Sequence, residues 1–414
     1  MLRDPARHEP LCHTPWDAVR AQAGLQDIVR DIERSSGPHS EGKGHWPVHP
    51  LDDEGDTPAS GFKSLYLGSA GLAWALWHLQ QAGAVQLQEN TDPVALLHAA
   101  HAAYLSEPDT GEVVPSFYLG EVGIALALWR ATGDASVTER LHMQIQANIG
   151  HPALEPLWGS PGTMLAAWHL WRLTGQTHWR SLFLQNVDAL WERWDTRVGT
   201  DDQPPCWLWT QDLYGRKAQY LGAAHGFAGN AHPLLKGAAL LAPERRTTLY
   251  RRCADTLTAT AVQDPEGLVL NWPSQPLVPG SKPEKWLMQW CHGAPGIITA
   301  MADFPVGRDP QLDAMLLATG EAVWAAGPLA KGPGLCHGTA GNGQAFLVLH
   351  QRSGDARWLE RARRFAMHAL AQCEQQRQAH GVGRFNLWTG DAGVAIYLWQ
   401  CLQARAGMPT LDFI

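Results

Sequence analysis

Apolar residues gather along the chain in runs that keep a helical period and leave no wet face. Leu72-Ala73-Trp74-Ala75-Leu76-Trp77, Ile124-Ala125-Leu126-Ala127-Leu128-Trp129 and Thr163-Met164-Leu165-Ala166-Ala167-Trp168 are of this kind, and they predict helices buried on most sides. Several give way to a turn signal and then to a segment in which charged residues alternate with an apolar stripe. Ala131-Thr132-Gly133-Asp134 leads into residues 135–145, Leu173-Thr174-Gly175-Gln176 into 179–194, and Arg352-Ser353-Gly354-Asp355 into 358–371. The predicted unit is therefore a helical hairpin with a buried inner helix and an amphipathic outer one.

Each apolar run is preceded by Gly-x-x-Gly, and that skeleton occurs seven times: Gly68/Gly71, Gly120/Gly123, Gly159/Gly162, Gly226/Gly229, Gly293/Gly296, Gly338/Gly341 and Gly390/Gly393. The steps between them are 52, 39, 67, 67, 45 and 52 residues. A fixed motif at variable spacing marks equivalent units that differ by insertions. Seven hairpins closed on themselves give the expected fold: all-α, an α/α toroid whose inner helices all start at one rim. The toroid is expected over residues 61–414, with residues 1–60 forming an N-terminal helix (17–35) and an irregular arm. The stretch from Gly37 to Ser60 reads either as a surface connector or as an arm folded over the cavity mouth.

Composition narrows the class. Of 414 residues 45% are hydrophobic, enough for one large core, and 20 Trp suit bulky wedges between two concentric helix layers. A net charge of -8 without a long basic run excludes nucleic acid as the main partner. No run approaches the roughly 18 apolar residues a membrane span needs, and the first residues carry no apolar leader-like stretch. Seven scattered Cys do not make a disulfide framework. Together these point to a cytoplasmic protein in a reducing compartment.

Two of the seven motifs carry extra chemistry. Trp290-Cys291-His292-Gly293-Ala294-Pro295-Gly296 and Leu335-Cys336-His337-Gly338-Thr339-Ala340-Gly341 each place Cys-His before the first glycine. Soft sulfur plus imidazole is the donor set of zinc or a similar thiophilic ion. Equivalent positions in successive repeats share the rim, so both loops should face one cavity, and His225 stands at the same place in the fourth motif. Elsewhere the reading is weaker. The third loop serves mainly to close the ring. Lys331 and the basic pair Arg216-Lys217 are candidates for holding an anionic substrate, or are simply solvated. Asp391, directly after Gly390, is either a helix cap, a partner for a ligand histidine or a substrate contact. His232 is assigned to packing or a local hydrogen bond.

At these residues the chain resembles the lanthionine synthetase C-like (LanC-like) family. The likeness rests on the seven Gly-x-x-Gly repeats, the Trp-Cys-x-Gly-x-Pro-Gly loop and the Cys-His-Gly loop, and covers residues 60–402. It implies zinc on Cys291, Cys336 and His337 and an acid/base role for His225. His292 stands where peptide cyclases of lantibiotic pathways commonly have Tyr, which brings the chain nearer the stand-alone, glutathione-binding branch.

The function that follows is addition of a thiol, either glutathione or a peptide Cys, to a dehydroalanine or dehydrobutyrine residue of a peptide or protein. His225 would protonate the α carbon, and His225 or His292 would take the thiol proton. A dedicated lanthipeptide cyclase and a non-catalytic zinc- or glutathione-binding scaffold are the alternatives within the same frame. A toroidal glycosidase would need Glu121 and Asp391 as paired rim carboxylates, and a zinc prenyltransferase subunit would need an Asp ligand that the sequence does not place.

Overall fold

A computed structural model describes residues 2–36, 46–53, 55, 57–58, 60–197, 205–264, 270–277 and 280–414. Half of the arm expected between Gly37 and Ser60 lies outside the described residues, as do residues 198–204 of the insertion before the fourth motif.

Helix α1 (Ala18–Ser35) comes first. Six hairpins follow: α2 (Ser69–Gln81) with α3 (Pro93–Ser106), α4 (Glu121–Thr132) with α5 (Ala135–Asn148), α6 (Ser160–Thr174) with α7 (Thr177–Trp191), α8 (Phe227–Lys236) with α9 (Pro243–Thr260), α10 (Ala294–Ala300) with α11 (Pro310–Ala326), and α12 (Thr339–Ser353) with α13 (Ala356–His380). Helix α14 (Asp391–Gln403) is the seventh inner helix. Its outer partner is not a following helix but α1, which packs against both α14 and α13. Each inner helix touches the next, and α14 touches α2, so the ring is closed. This is the expected toroid, with the seventh hairpin completed by a helix from before position 60.

The inner helices are buried almost throughout because both the central space and the outer layer must be filled: every residue of α4 from Glu121 to Leu128 is buried. The outer helices bury one stripe, as Val137, Leu141 and Ile145 do on α5. Short antiparallel pairs decorate the frame: β1 (Asp195–Arg197) with β2 (Cys206–Leu208), β3 (Gln211–Leu213) with β4 (Arg216–Ala218), and β5 (Val262–Gln263) with β6 (Leu270–Asn271). The β3–β4 hairpin turns on Tyr214 and Gly215, both at positive φ (53° and 69°), the backbone that matches strand twist in a two-residue turn.

The second motif glycine is what allows the loops to pack as a ring. A Cβ on Gly296 would stand 1.9 Å from the Trp290 carbonyl oxygen and 2.9 Å from Cβ of Ala223 in the preceding loop. On Gly341 it would stand 1.8 Å from the Leu335 oxygen and 3.2 Å from Cβ of Trp290. Backbone and neighbouring loop occupy the space of a side chain, and only glycine fits.

At the opposite end the tail after α14 folds under the ring. Phe413 lies 4.7 Å from the His78 ring, Thr410 O accepts from His169 at 3.3 Å, Ile414 O accepts from Arg130 at 3.1 Å, and Asp412 meets Lys236 at 2.6 Å. These partners sit near the C-terminal ends of α2, α4, α6 and α8, so the far mouth of the toroid is closed. Burial raises the Asp412 carboxyl, but the charge of Lys236 and contact with His232 outweigh it and hold the group well below the usual carboxylate range.

Candidate active site

The motif loops put Cys291 and Cys336 on adjacent turns of the rim. Cys291 N donates to Cys336 O at 3.0 Å, and Cys336 N donates to Trp388 O of the seventh loop at 2.8 Å. Gly293 adopts φ 108°, a backbone that disfavours any side chain, and so bends the fifth loop toward the sixth. The result brings one donor atom from each of Cys291, Cys336 and His337 within 4.8 Å of one another. Bonds of about 2.3 Å to sulfur and about 2.0–2.1 Å to nitrogen set tetrahedral ligands about 3.5–3.8 Å apart, so a zinc ion fits with a small inward movement. Two buried thiols and one imidazole also form the Cys₂His composition that catalytic zinc sites use.

Electrostatics in this pair are asymmetric. Cys291 is driven well below the usual thiol range because it accepts the Cys336 S–H, assisted by His337 and the charge of His292. Cys336 is raised in consequence, although a hydrogen bond from Tyr66 and the charge of Lys331 oppose the rise.

Beside the thiols stands a second cluster. His225 Nδ1 lies 3.0 Å from Oε2 of Glu155, a fully buried carboxylate that also accepts Leu157 N at 3.0 Å and Trp158 N at 2.6 Å. Burial pulls the His225 pKa down, but the hydrogen bond and charge of Glu155, with that of Cys291, leave it raised. The His292 ring stacks on His225 at 5.7 Å and 23°, with Tyr220 edge-on to His292 at 5.6 Å. Desolvation lowers the His292 pKa, and its buried Nδ1 has no hydrogen-bond partner among the described residues. The two imidazoles in contact are thus shifted in opposite directions, one raised and one lowered. Beneath both clusters the floor is aromatic: Trp388 lies 6.0 Å from Tyr66, 5.1 Å from Tyr118 and 4.7 Å from Trp290.

The structure thus gathers Cys291, Cys336, His337, His292 and His225, with Lys331 exposed close enough for its charge to act on Cys336. It does not gather the rest. Asp391 is buried with its carboxylate toward the Arg384 N–H (3.3 Å) and Arg377 (3.7 Å), and burial pushes its pKa up to about 6. One residue into α14, its side chain faces the outer layer, toward Arg377 and Cys373 of α13. Glu121 is likewise buried against Arg140, His101 and Gln144, which removes the paired carboxylates a glycosidase needs. Arg216 and Lys217 are exposed on β4, where Lys217 faces Asp212 at 3.8 Å. His232 packs as expected, against Asp412 at 3.3 Å.

Sequence reasoning missed Glu155, in a loop assigned only to ring closure, and Tyr66. Both were findable from register. Two places before the first motif glycine, where Cys291 and Cys336 stand, the other loops carry Tyr66, Tyr118, Leu157, Ala224 and Trp388.

Comparison with known proteins agrees with this frame. Residues 207–406 match the family of lanthionine synthetase C-like proteins. The chain is 31% identical over 219 residues to glutathione S-transferase LANCL1 of Danio rerio, covering 51% of this chain and 49% of that protein. It is 31% identical over 265 residues to LanC-like protein GCL1 of Arabidopsis thaliana, covering 59% and 53%. The matched stretch spans about half the length of these curated relatives. Nisin cyclase shares the fold, with a TM-score of 0.62 at 15% identity over 91% of this chain and 97% of that one. No helix among the described residues is long and apolar enough to cross a membrane. Residues 207–406 thus carry a lanthionine synthetase C-like domain, set within a toroid of the nisin cyclase fold.

Proposed function

We propose that the protein adds a thiol to the β carbon of a dehydroalanine or dehydrobutyrine residue, forming a thioether, with zinc held by Cys291, Cys336 and His337. The observation that carries this reading is the juxtaposition of that donor set with the His225–Glu155 pair. A zinc ion bound there would lower the pKa of an entering thiol and hold it as thiolate.

The chain's own residues account for the remaining steps. His292, kept neutral by burial, takes the thiol proton on its free Nδ1. Sulfur bonds to the β carbon, the alkene π pair moves toward the carbonyl as an enolate, and the α carbon must gain one proton. His225 supplies it, because Glu155 holds the imidazole in its protonated form and fixes its ring. The proton taken by His292 is released to solvent and His225 is reprotonated from it, so atoms and charge balance over the cycle. The aromatic floor of Tyr66, Tyr118, Trp290 and Trp388 keeps water from the thiolate.

Glutathione as the thiol is favoured by the likeness to a relative named glutathione S-transferase, and the exposed ammonium of Lys331 beside Cys336 suits a carboxylate of such a thiol. Seven cysteines with no disulfide among them fit a reducing compartment, the cytoplasm. The test combines zinc content with glutathione addition to a dehydroalanine peptide, read by mass spectrometry. About one zinc per chain, lost together with adduct formation in Cys336→Ala, supports the reading. Zinc without adduct, alongside ring closure of a peptide carrying its own Cys, makes the protein a cyclase, and no zinc at all overturns the proposal.

A further inference from the structure

In four of the seven motif loops the residue four places before the first glycine holds the loop's own turn. Ser64, Ser116, Glu155 and Asn386 each accept a hydrogen bond from the backbone N–H three residues on, at 3.4, 3.0, 2.6 and 2.7 Å. The fourth and sixth loops have Gly222 and Gly334 there. The fifth has Gln289, whose buried side chain is used differently. Its Oε1 accepts from the Arg7 guanidinium at 3.0 Å, and its Nε2 donates to Cys291 Sγ at 2.9 Å. A guanidinium has donors only, so the amide oxygen must face Arg7 and the NH₂ must face the sulfur. Arg7 is itself fixed by a segment lying across the fifth and sixth repeats: Leu2 O accepts from Asn271, Ala330 N donates to Arg7 O, and Glu9 N donates to Pro328 O, at 2.9, 3.0 and 3.0 Å.

We propose that Gln289 is a positioning residue for Cys291 and that Arg7 locks its orientation, an inference that rests on Cys291 being a zinc thiolate. An N–H donor on that sulfur fixes the side chain toward His337 and Cys336 and draws negative charge off the atom. Cys291 then remains a ligand but a poor nucleophile, which leaves the entering thiolate as the sulfur that reacts. The outer partner thus separates resident from substrate sulfur within one donor set.

Cobalt(II) substitution tests this without turnover. The thiolate-to-cobalt charge-transfer band and the cobalt affinity, measured by chelator competition, are compared for wild type, Gln289→Leu and Arg7→Met, with circular dichroism as the check on folding. The band should move to lower energy in Gln289→Leu as sulfur regains charge, with affinity about 10-fold weaker or more. Arg7→Met should move both in the same direction by less, and it decides the matter if Gln289→Leu does not fold. Unchanged band and affinity in the folded variants overturn the inference while leaving the metal site intact. A wild type that gives no thiolate-to-cobalt band overturns the metal reading and this inference with it.

Discussion

His225 Nδ1 stands 3.0 Å from Glu155 Oε2, and the carboxylate is buried on a loop that contributes neither Cys nor His to the rim. The ion pair raises the His225 pKa above its ordinary 6.5. A raised histidine is protonated below that pKa and loses both its charge and its contribution to stability as pH rises through it. If His225 is the acid, adduct formation falls on the alkaline side of that value. Glu155→Gln should move this limb to lower pH and cut the rate at neutral pH about 10²-fold or more. A pH–rate profile of both proteins checks it, and an unmoved alkaline limb assigns the limb to another group.

Tyr66 acts on the other thiol. Its hydroxyl donates to Cys336 and is itself pushed well above the usual phenol range by burial and by that sulfur's charge. Tyr66→Phe should leave the fold intact and weaken zinc binding about 10-fold or more, the usual loss of a ligand's hydrogen-bond partner. Competition against a chromogenic chelator measures it.

The described part of the arm before the toroid is fastened to the seventh loop by a buried ion pair. Asp52 accepts from the Arg384 guanidinium, from Asn386 at 2.8 Å and from Thr389 at 3.0 Å, with Asp52 and Arg384 side chains 7% and 4% exposed. Asp52→Ala leaves a buried guanidinium unpaired and should cost about 3–5 kcal/mol in urea unfolding. The double variant Asp52→Ala with Arg384→Met should recover much of that loss, since no charge is then stranded.

The motif glycines predict a steric result. Gly341→Ala places a methyl 1.8 Å from the Leu335 carbonyl, where only backbone movement can make room. The loop that must move carries Cys336 and His337. Stability should drop by at least about 1–3 kcal/mol, and zinc stoichiometry should fall with it. Gly133→Ala, with nothing within 4 Å but φ 68°, is the control: it should affect stability alone.

Much of this was readable from the repeat. Residues directly before the motif glycine gave His225, His292 and His337, and those one place earlier gave Cys291 and Cys336, because equivalent positions in a closed ring face one cavity. Tyr66 sits in the same register as the cysteines and Glu155 in the same register as Gln289, so both were within reach of an argument that had looked beyond metal-type residues. Asp391 and Glu121, each directly after a motif glycine, turn their carboxylates to Arg377 and Arg140 for a geometric reason. One residue past the glycine the chain has entered the helix, and the side chain there faces the outer layer. Arg7 left no local trace at all, since its contact with Gln289 joins positions 282 apart.

The pairing of α1 with α14 has a bearing on how the molecule comes into being. An early helix and a late one form a single hairpin, so the seam of the toroid cannot be sewn until everything between them has been made. Six hairpins can form as local units, but the strip they build stays open, with the apolar flanks of α2 and α14 uncovered, until that last docking. A fold closed by its most distant contact is slow in its final step and exposed to aggregation before it. The bond between Cys291 and Cys336 joins neighbouring repeats and can form early, whereas the bond from Trp388 to Tyr66, which joins the last loop to the first, forms only when the ring closes.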